Sequence, residues 1–188
     1  MNRMRLVSSR SSPEPDIRRT SANHPCLDAF QREFDYLLRT LRRLGASRDD
    51  VEDLAHEVFL VLYRAWDSYD PTRSFRAYLF GIAFKVAYGH FRKKKREVSH
   101  PVVEMVDLGP RPDQVFEASQ RRAFLLKALD RVPLRLRAVL VMHDIDEISM
   151  REIASTLSIP RFTAYSRLRR ARIDLAAAVA SLHRARVP

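Results

Sequence analysis

The side chains best suited to ligand chemistry form a cationic cluster near the C-terminal end of the chain, between residues 161 and 172. Arginine dominates over lysine there, and a planar guanidinium can donate two parallel hydrogen bonds to a guanine edge or to a phosphate group. An ordinary solvated basic helix is the alternative interpretation. The candidate nucleic-acid contacts are Tyr165, Ser166, Arg169, Arg170, Arg161 and Arg167.

The cluster has the periodicity of a helix with two different faces. Its apolar residues recur at steps of three and four, which places them on one side at about 100° per residue: Ala164, Leu168, Ala171 and Leu175. Opposite them lie Tyr165, Ser166, Arg169 and Arg170. Upstream, Ser149 and Glu152 fit a capping box, and residues 158–160 predict a tight turn. This layout predicts a helix-turn-helix, whose second helix faces the major groove of DNA.

A second cationic run, from Arg92 to Arg96, follows an aromatic-rich stretch. Positive charge at the C-terminal end of a helix favours the helix dipole, so a solvated helix end is one interpretation. Aromatic side chains beside a cationic groove can instead stack on unpaired bases, although most of those upstream are expected to be core residues. The predicted DNA contacts in this run are Arg92, Lys93, Lys94 and Lys95.

A different chemistry is predicted for the helical segment between residues 49 and 66. One side of it is an apolar stripe: Val51, Leu54, Val58 and Leu62. A second side of the helix, outside that stripe, carries two carboxylates, an imidazole and a leucine: Asp53, His56, Glu57 and Leu60. Acidic groups beside an exposed leucine are poorly placed to meet DNA. They suit a protein partner that has basic and apolar groups.

The periodicity is helical wherever it exists, so the predicted fold is all-α, with two small helical domains joined by an extended linker. Residues 1–24 lack an apolar period and are predicted to be a flexible basic tail. The first domain covers residues 25–96. Proline and glycine interrupt the pattern over residues 97–111, the predicted linker, and the second domain covers residues 112–185.

Three helices are predicted in the first domain. The first runs from Phe30 to Leu44 and ends at Gly45, which suits the left-handed position after a helix. The second follows a capping box of Ser47 and Asp50 and continues to residue 66, with Trp66 as a core anchor. The third runs from about residue 74 to residue 96.

Composition narrows the class of protein further. The 188 residues are 46% hydrophobic and carry a formal net charge of +11, which describes a folded protein that attracts a polyanion. No apolar stretch reaches the about 18 residues of a membrane span, and no secretory signal core is present, so we expect a cytoplasmic protein without membrane insertion. Cys26, expected to be half-buried, is the only cysteine, and the histidines are scattered. The sequence therefore predicts no metal site, no cofactor and no catalytic site.

Four segments together resemble the extracytoplasmic-function (group 4) sigma factors of bacterial RNA polymerase. They are residues 50–60 (DVEDLAHEVFL), 74–83 (SFRAYLFGIA), 152–154 (EIA) and 165–172 (YSRLRRAR). The resemblance covers roughly residues 28–182. It implies that the first domain binds the clamp helices of the polymerase β′ subunit and captures the melted minus-ten element. It implies further that the second domain docks on the β flap and reads the minus-thirty-five element, with the linker threading along the polymerase.

By position, the resemblance assigns Asp53, His56, Glu57 and Leu60 to core polymerase binding and the turn at residues 68–73 to base capture. It assigns Tyr165, Ser166, Arg169 and Arg170 to minus-thirty-five contacts. The sequence departs from the usual pattern of the family at several positions: His56 for Gln, Tyr78 for Trp, Lys85 for Asn, Gly89 for Asp, and Ser158 and Phe162 for glycines. Glycine near the turn lets a helix approach DNA closely, so Phe162 is expected to change the usual promoter contacts.

The predicted function is that of a sigma factor, which binds core RNA polymerase and directs promoter-specific transcription initiation. The alternative is a free-standing helix-turn-helix regulator, which would bind a palindromic duplex tightly without polymerase. Nothing in residues 49–66 requires this alternative. An enzyme acting on nucleic acid would need clustered acidic ligands or a nucleophile beside a base, and the sequence offers neither. Core polymerase and promoter DNA are the predicted partners, and an anti-sigma factor is a further candidate.

Overall fold

The computed structural model describes residues 24–97, here called the N-terminal unit, and residues 113–185, the C-terminal unit. Every regular element in these two ranges is helical, which confirms the predicted all-α class. The helices are α1 (Pro25–Arg32), α2 (Phe34–Leu44), α3 (Asp50–Arg64), α4 (Phe75–Glu97), α5 (Asp113–Asp130), α6 (Leu134–Leu140), α7 (Met150–Thr156) and α8 (Arg161–Arg184). A 3-10 helix (Trp66–Ser68) follows α3, and a π-helical turn (Val141–Ile145) follows α6. The predicted tail and linker lie outside the described residues, except for His24 and Glu97.

The segment predicted as one helix from Phe30 to Leu44 forms two helices. Glu33 separates them with φ −107° and ψ 12°, and its N–H bonds the Phe30 carbonyl oxygen at 3.1 Å. The break allows the two helices to pack in different directions, α1 on α3 and α2 between α3 and α4. Phe30 of α1 packs on Phe59 of α3 with ring centroids 4.9 Å apart, whereas α2 packs mainly on α4 and α3.

Cys26 lies in the first turn of α1 and is fully buried, which is deeper than the half-buried position predicted for it. Pro25 suits the start of the helix because its missing N–H needs no partner there. The His24 Nδ1 accepts a hydrogen bond from the Cys26 N–H at 3.2 Å. Burial raises the pKa of the Cys26 thiol. This cysteine is therefore a core residue.

The core of the N-terminal unit forms between α2, α3 and α4. Its fully buried large side chains include Leu37, Leu41, Leu44, Leu54, Val58, Leu62, Leu79 and Phe80. Ser47 and Asp50 form the predicted cap of α3, because the Ser47 Oγ accepts from the Asp50 N–H at 3.0 Å and donates to the Asp50 carboxylate at 2.7 Å. Gly45 ends α2 with φ 107°, the left-handed conformation expected there. Helices α3 and α4 thus form close to the predicted places, whereas the first predicted helix is divided into α1 and α2.

The C-terminal unit contains the predicted helix-turn-helix, formed by α7 and α8. Ser149 caps α7 by accepting from the Glu152 N–H at 3.3 Å, and Met150, Ile153 and Ala154 are the buried residues of this helix. Ser158 takes φ 52°, a left-handed conformation that glycine adopts more easily. The buried side of α8 consists of Ala164, Leu168, Ala171 and Ala178. The spacing therefore predicted correctly which side of α8 faces the core.

The two units also contact one another, which the sequence did not predict. Helix α2 packs against α5 and α6, and α4 packs against α7, so that one continuous apolar core runs through both units. Polar contacts join the same surfaces. Arg73 donates to the Ser155 hydroxyl at 2.9 Å, and Arg135 donates to the Tyr88 hydroxyl at 2.7 Å.

Candidate nucleic-acid interface

The exposed side of α8 is the surface that the sequence assigns to duplex DNA. Tyr165, Ser166, Arg169 and Arg170 are all exposed, opposite the buried Ala164, Leu168 and Ala171. We call these four residues the recognition face. Arg161 is exposed at the start of the helix, and Arg167 is half-buried at the edge of the face. The structure thus brings the predicted contact residues onto one side of a helix, with Arg167 less accessible than the others.

The arginines of α8 differ in the partners that they have within the fold. Arg170 pairs with Asp174 one turn later at 2.9 Å. Arg172 donates two hydrogen bonds, of 2.6 and 2.9 Å, to Asp144, and its hydrogen bonding lowers the pKa of that carboxyl. Arg169 has no ion-pair partner among the residues that the structure describes. Its guanidinium is therefore the one on the recognition face most available for a base edge or a phosphate.

Phe162 also lies on the exposed side of α8, in its first turn, and 84% of its surface is accessible. The sequence identified it only as a departure from glycine. The helical spacing could have predicted its exposure. Phe162 precedes Ser166 by four residues and Arg169 by seven, which places all three on the same side of the helix.

The basic run at the end of α4 is exposed from Arg92 to Arg96. Lys94 pairs with the Asp50 carboxylate at 3.2 Å, so one cation of the run is already partly neutralised. The pKa of Asp50 is lowered, first by the Ser47 hydroxyl and then by Lys94. The aromatic side chains preceding the run are mostly internal, as expected: Phe80 is fully buried, and Tyr88 and Phe91 are half-buried. The run therefore offers charge to a phosphate backbone and no exposed ring for stacking.

An aromatic cluster supports the turn between α3 and α4, which the resemblance assigns to base capture. Tyr69 is central to it, with ring centroids 5.6 Å from Trp66, 5.5 Å from Phe75 and 4.9 Å from Tyr78. The Asp70 side chain accepts from the Thr72 N–H at 2.9 Å and from its hydroxyl at 2.7 Å, and these bonds lower the pKa of Asp70. Trp66 is half-buried against the core, consistent with its predicted role as an anchor. The aromatic cluster thus fixes the position of the exposed residues 70–74.

Helix α3 presents the acidic surface that the sequence assigns to a protein partner. Asp53, His56, Glu57 and Leu60 are all exposed on one side of the helix, and we call them the acidic face. None of the three polar members forms an ion pair within the described ranges. Leu60 is 39% exposed and is flanked by Val61 at 37% and Tyr63 at 44%. These two flanking residues were missed by the sequence analysis, although both fall outside the buried stripe of α3.

No group of three or more His, Cys, Asp or Glu side chains in residues 24–97 and 113–185 could hold a metal ion. In the same ranges, no helix is long and apolar enough to cross a membrane.

A helix-turn-helix with an exposed cationic face, in a chain that also carries an exposed acidic face, is typical of the class of helical transcription proteins that bind DNA. Sequence comparison specifies the family. Residues 29–97 match the protein family described as Sigma-70 region 2, and residues 122–175 match the family described as Sigma-70, region 4. The chain belongs to the sigma-70 family of RNA polymerase sigma factors, in its extracytoplasmic-function (ECF) group.

Individual relatives agree with that assignment. The chain is 31% identical over 156 residues to ECF RNA polymerase sigma factor SigE of Mycolicibacterium smegmatis, an alignment that covers 80% of this chain and 60% of that protein. It is 28% identical over 149 residues to ECF RNA polymerase sigma factor SigW of Bacillus subtilis, covering 73% of this chain and 80% of that protein. The chain thus spans less than two thirds of the length of the first of these relatives, SigE of Mycolicibacterium smegmatis.

Two solved structures share the fold. The first is CnrH in complex with the cytosolic domain of CnrY, with a TM-score of 0.58 and 24% identity over 83% of this chain and 88% of that one. The second is the sigma factor RpoE in complex with the anti-sigma factor NepR from Bartonella quintana, with a TM-score of 0.62 and 23% identity over 80% of this chain and 96% of that one.

Proposed function

We propose that this protein binds core RNA polymerase and directs promoter-specific transcription initiation. One observation carries the proposal: an exposed acidic face on α3 and an exposed cationic face on α8 occur in one chain, within the segments that match sigma-70 regions 2 and 4. A free-standing regulator needs the second face and has no use for the first. A sigma factor needs both, because it must hold the polymerase and the promoter together.

The acidic face of α3 is the proposed contact with the clamp helices of the β′ subunit. Asp53 and Glu57 offer two carboxylates one helical turn apart, and Leu60, with Val61 and Tyr63 beside it, offers an apolar surface. Charged groups at the rim of an interface steer association, whereas buried apolar side chains supply most of the affinity.

Helix α4 and the turn before it are the proposed minus-ten surface. The aromatic cluster around Tyr69 fixes the predicted turn at residues 68–73, so that its exposed residues 70–73 can meet an unpaired base without first becoming ordered. Arg92, Lys93, Lys94 and Lys95 extend a positive surface along the same helix toward the DNA backbone. This division separates base capture at one end of α4 from phosphate attraction at the other.

The recognition face of α8 is the proposed minus-thirty-five surface, with the rest of the C-terminal unit docking on the β flap. Arg169 is exposed and unpaired within the described residues, which suits a bidentate contact with guanine. Tyr165 and Ser166 supply hydroxyl groups on the same side.

The proposed function requires the contact between the two units to open. The centres of the two promoter elements lie about 25 base pairs apart, or roughly 85 Å along straight B-DNA. A compact chain of this length has a radius of gyration of about 16 Å, and therefore a diameter of about 40 Å. Two DNA-binding surfaces in the arrangement described here are too close together to meet both elements. The arrangement is therefore the form of the protein before it reaches the promoter.

The protein would act in the cytoplasm, where RNA polymerase is, and would contribute binding energy without catalysing a reaction. An anti-sigma factor is a further proposed partner, since the structural relative RpoE was solved with the anti-sigma factor NepR.

The proposal is tested by mixing the purified full-length protein with bacterial core RNA polymerase and following complex formation by size-exclusion chromatography. We expect a stoichiometric complex that initiates at specific sites on genomic DNA, whereas core polymerase alone does not. Failure to bind core polymerase, together with tight binding to a palindromic duplex, would establish the regulator instead.

A further inference from the structure

We propose that Phe162 is a specificity-determining residue that contacts the 5-methyl group of a thymine in the upstream promoter element. The inference rests on the proposed function, because it assumes that α8 enters the major groove of that element. It concerns a position at which this chain departs from the usual pattern of its family, so it describes a property of this protein.

The first observation is the position of Phe162 on α8. At about 100° per residue, it lies within about 40° of Ser166 and about 20° of Arg169, and roughly opposite the buried Ala171. It is the second residue of the helix, and recognition helices contact base edges mainly with their N-terminal residues. Phe162 is therefore near the middle of the face and at the end of the helix that enters the groove.

The second observation is that nothing in the described fold covers this side chain. Phe162 is 84% exposed, more than any other large hydrophobic side chain in the described ranges, and its ring contacts no other aromatic ring there. The residues that share its side of the helix are polar or cationic near the N-terminus. Because the exposed neighbours of the ring are cationic, a partner that covers it must also carry negative charge, as a DNA duplex does.

The chemistry of the major groove supplies a matching group. The C5-methyl of thymine is the apolar feature of the base edges there, and apolar side chains such as phenylalanine contact it. Arg161, exposed beside it at the start of the helix, attracts the phosphate backbone, which brings the helix to the DNA whatever the sequence. Phe162 and Arg169 lie about 10 Å apart along the helix axis, so they would read different base pairs.

The experiment isolates the methyl group. Full-length protein is assembled with core RNA polymerase, and the preferred upstream element is selected from duplexes with randomised sequence. Each thymine of that element is then replaced singly by deoxyuridine, which lacks only the 5-methyl group. Dissociation constants are measured for the holoenzymes of the wild-type protein and of Phe162→Ala.

At one position, deoxyuridine should weaken binding of the wild-type holoenzyme by about fourfold, the value expected for burial of one methyl group. The Phe162→Ala holoenzyme should bind the thymine and deoxyuridine duplexes equally. Ile173→Ala is the matched control, because Ile173 is 54% exposed on the same side of α8 but eleven residues further along. It should retain the fourfold difference. Position 162 is exposed, so the Phe162→Ala protein should fold normally, and circular dichroism checks this.

Three outcomes would overturn the inference. A selected element without a thymine would do so, as would the same deoxyuridine effect in the wild type and in Phe162→Ala. Equal weakening of Phe162→Ala on every upstream sequence would show that the ring only fills the groove. In all three cases the holoenzyme still forms and the proposed function stands. Failure of the wild-type protein to form a holoenzyme would instead overturn the function on which the inference rests.

Discussion

The hydroxyl group of Tyr36 donates a 2.8 Å hydrogen bond to the carboxylate of Asp146, which lies 110 positions later in the chain. Arg43 pairs with the other oxygen of the same carboxylate at 3.1 Å. Two residues of α2 thereby hold the end of the π-helical turn that follows α6 against the N-terminal unit. This contact is polar, mostly shielded from water and located between the two units, whose separation the proposed function requires.

Replacing Tyr36 by phenylalanine removes one donor from a shielded carboxylate. A hydrogen bond to a charged group is worth about 1.5 to 3 kcal/mol, so the free energy of unfolding should fall by about that amount. The proposed docking sites of the two units, the β′ clamp helices and the β flap, are on different subunits of the polymerase. Affinity for core polymerase should therefore rise at the same time, because a larger fraction of the protein is in the open form. Urea unfolding and a fluorescence titration with core polymerase measure the two effects.

Tyr165→Phe is the control for that experiment, because Tyr165 is 54% exposed and has no hydrogen-bond partner in the described part of the fold. It should change neither quantity. Weaker binding of core polymerase by Tyr36→Phe would contradict the requirement for opening.

The ionisation of Asp146 should make the stability of the fold depend on pH. Burial raises the pKa of this carboxyl above its usual value, and this effect exceeds the opposing effects of Tyr36 and Arg43. Above the folded-state pKa the charged form is disfavoured in the folded protein, so this group lowers stability at neutral pH. The effect disappears as the pH falls below the ordinary value of a free aspartate, about 3.9.

Asp146→Asn removes this ionisation and keeps an acceptor for Tyr36. The difference in unfolding free energy between Asp146→Asn and the wild type should therefore shift in favour of the variant as the pH rises from about 4 to 7. Thermal unfolding at several pH values measures it. A shift in the opposite direction would mean that Arg43 and Tyr36 outweigh burial.

Arg169 and Arg172 should have different effects on promoter binding, although both are exposed on α8. Arg169→Ala should reduce discrimination between upstream sequences by about 1 to 3 kcal/mol, because the guanidinium is free to reach a base edge. Arg172 is held by Asp144, so Arg172→Ala should weaken binding equally for all sequences. Holoenzyme footprints on promoters with altered upstream elements distinguish the two. An equal loss on every sequence for Arg169→Ala would exclude base readout by this residue.

The parts of the fold that were predicted correctly depend on short sequence distances. The two sides of α8 follow from residues three and four positions apart, and the caps at Ser47 and Ser149 follow from partners three residues away. Local spacing decides such features before any tertiary contact forms. The acidic face of α3 was predicted in the same way, from the helical positions that lie outside the apolar stripe.

The parts that could not be predicted depend on contacts between distant segments. The break at Glu33 is invisible in the sequence because Phe30 and Phe34 keep helical spacing across it; the packing of α1 on α3 decides it. The pair of Tyr36 and Asp146 gives no local signal at all, since each residue is ordinary among its neighbours. The same reason explains why contact between the two units was not foreseen.

The acidic face of α3 provides the test that separates a sigma factor from a free-standing regulator. Changing Asp53 and Glu57 together to lysine reverses the charge of a surface that has no ion-pair partner within the described residues. Like charges opposed across an interface cost several kcal/mol, so affinity for core polymerase should fall at least about a hundredfold. Both positions are exposed, and exposed positions generally tolerate substitution, so the helical content and the melting temperature should change little.

The matched control is Asp28→Lys combined with Asp35→Lys, which changes the net charge by the same amount at exposed positions on α1 and α2. Both double variants should bind nonspecific DNA more tightly than the wild type, because the added positive charge attracts phosphate. Only the α3 variant should lose core polymerase in a pull-down and fail to direct transcription from a promoter. Equal recovery of polymerase by the two variants would exclude the acidic face as the interface, because the control separates the effect of position from the effect of charge.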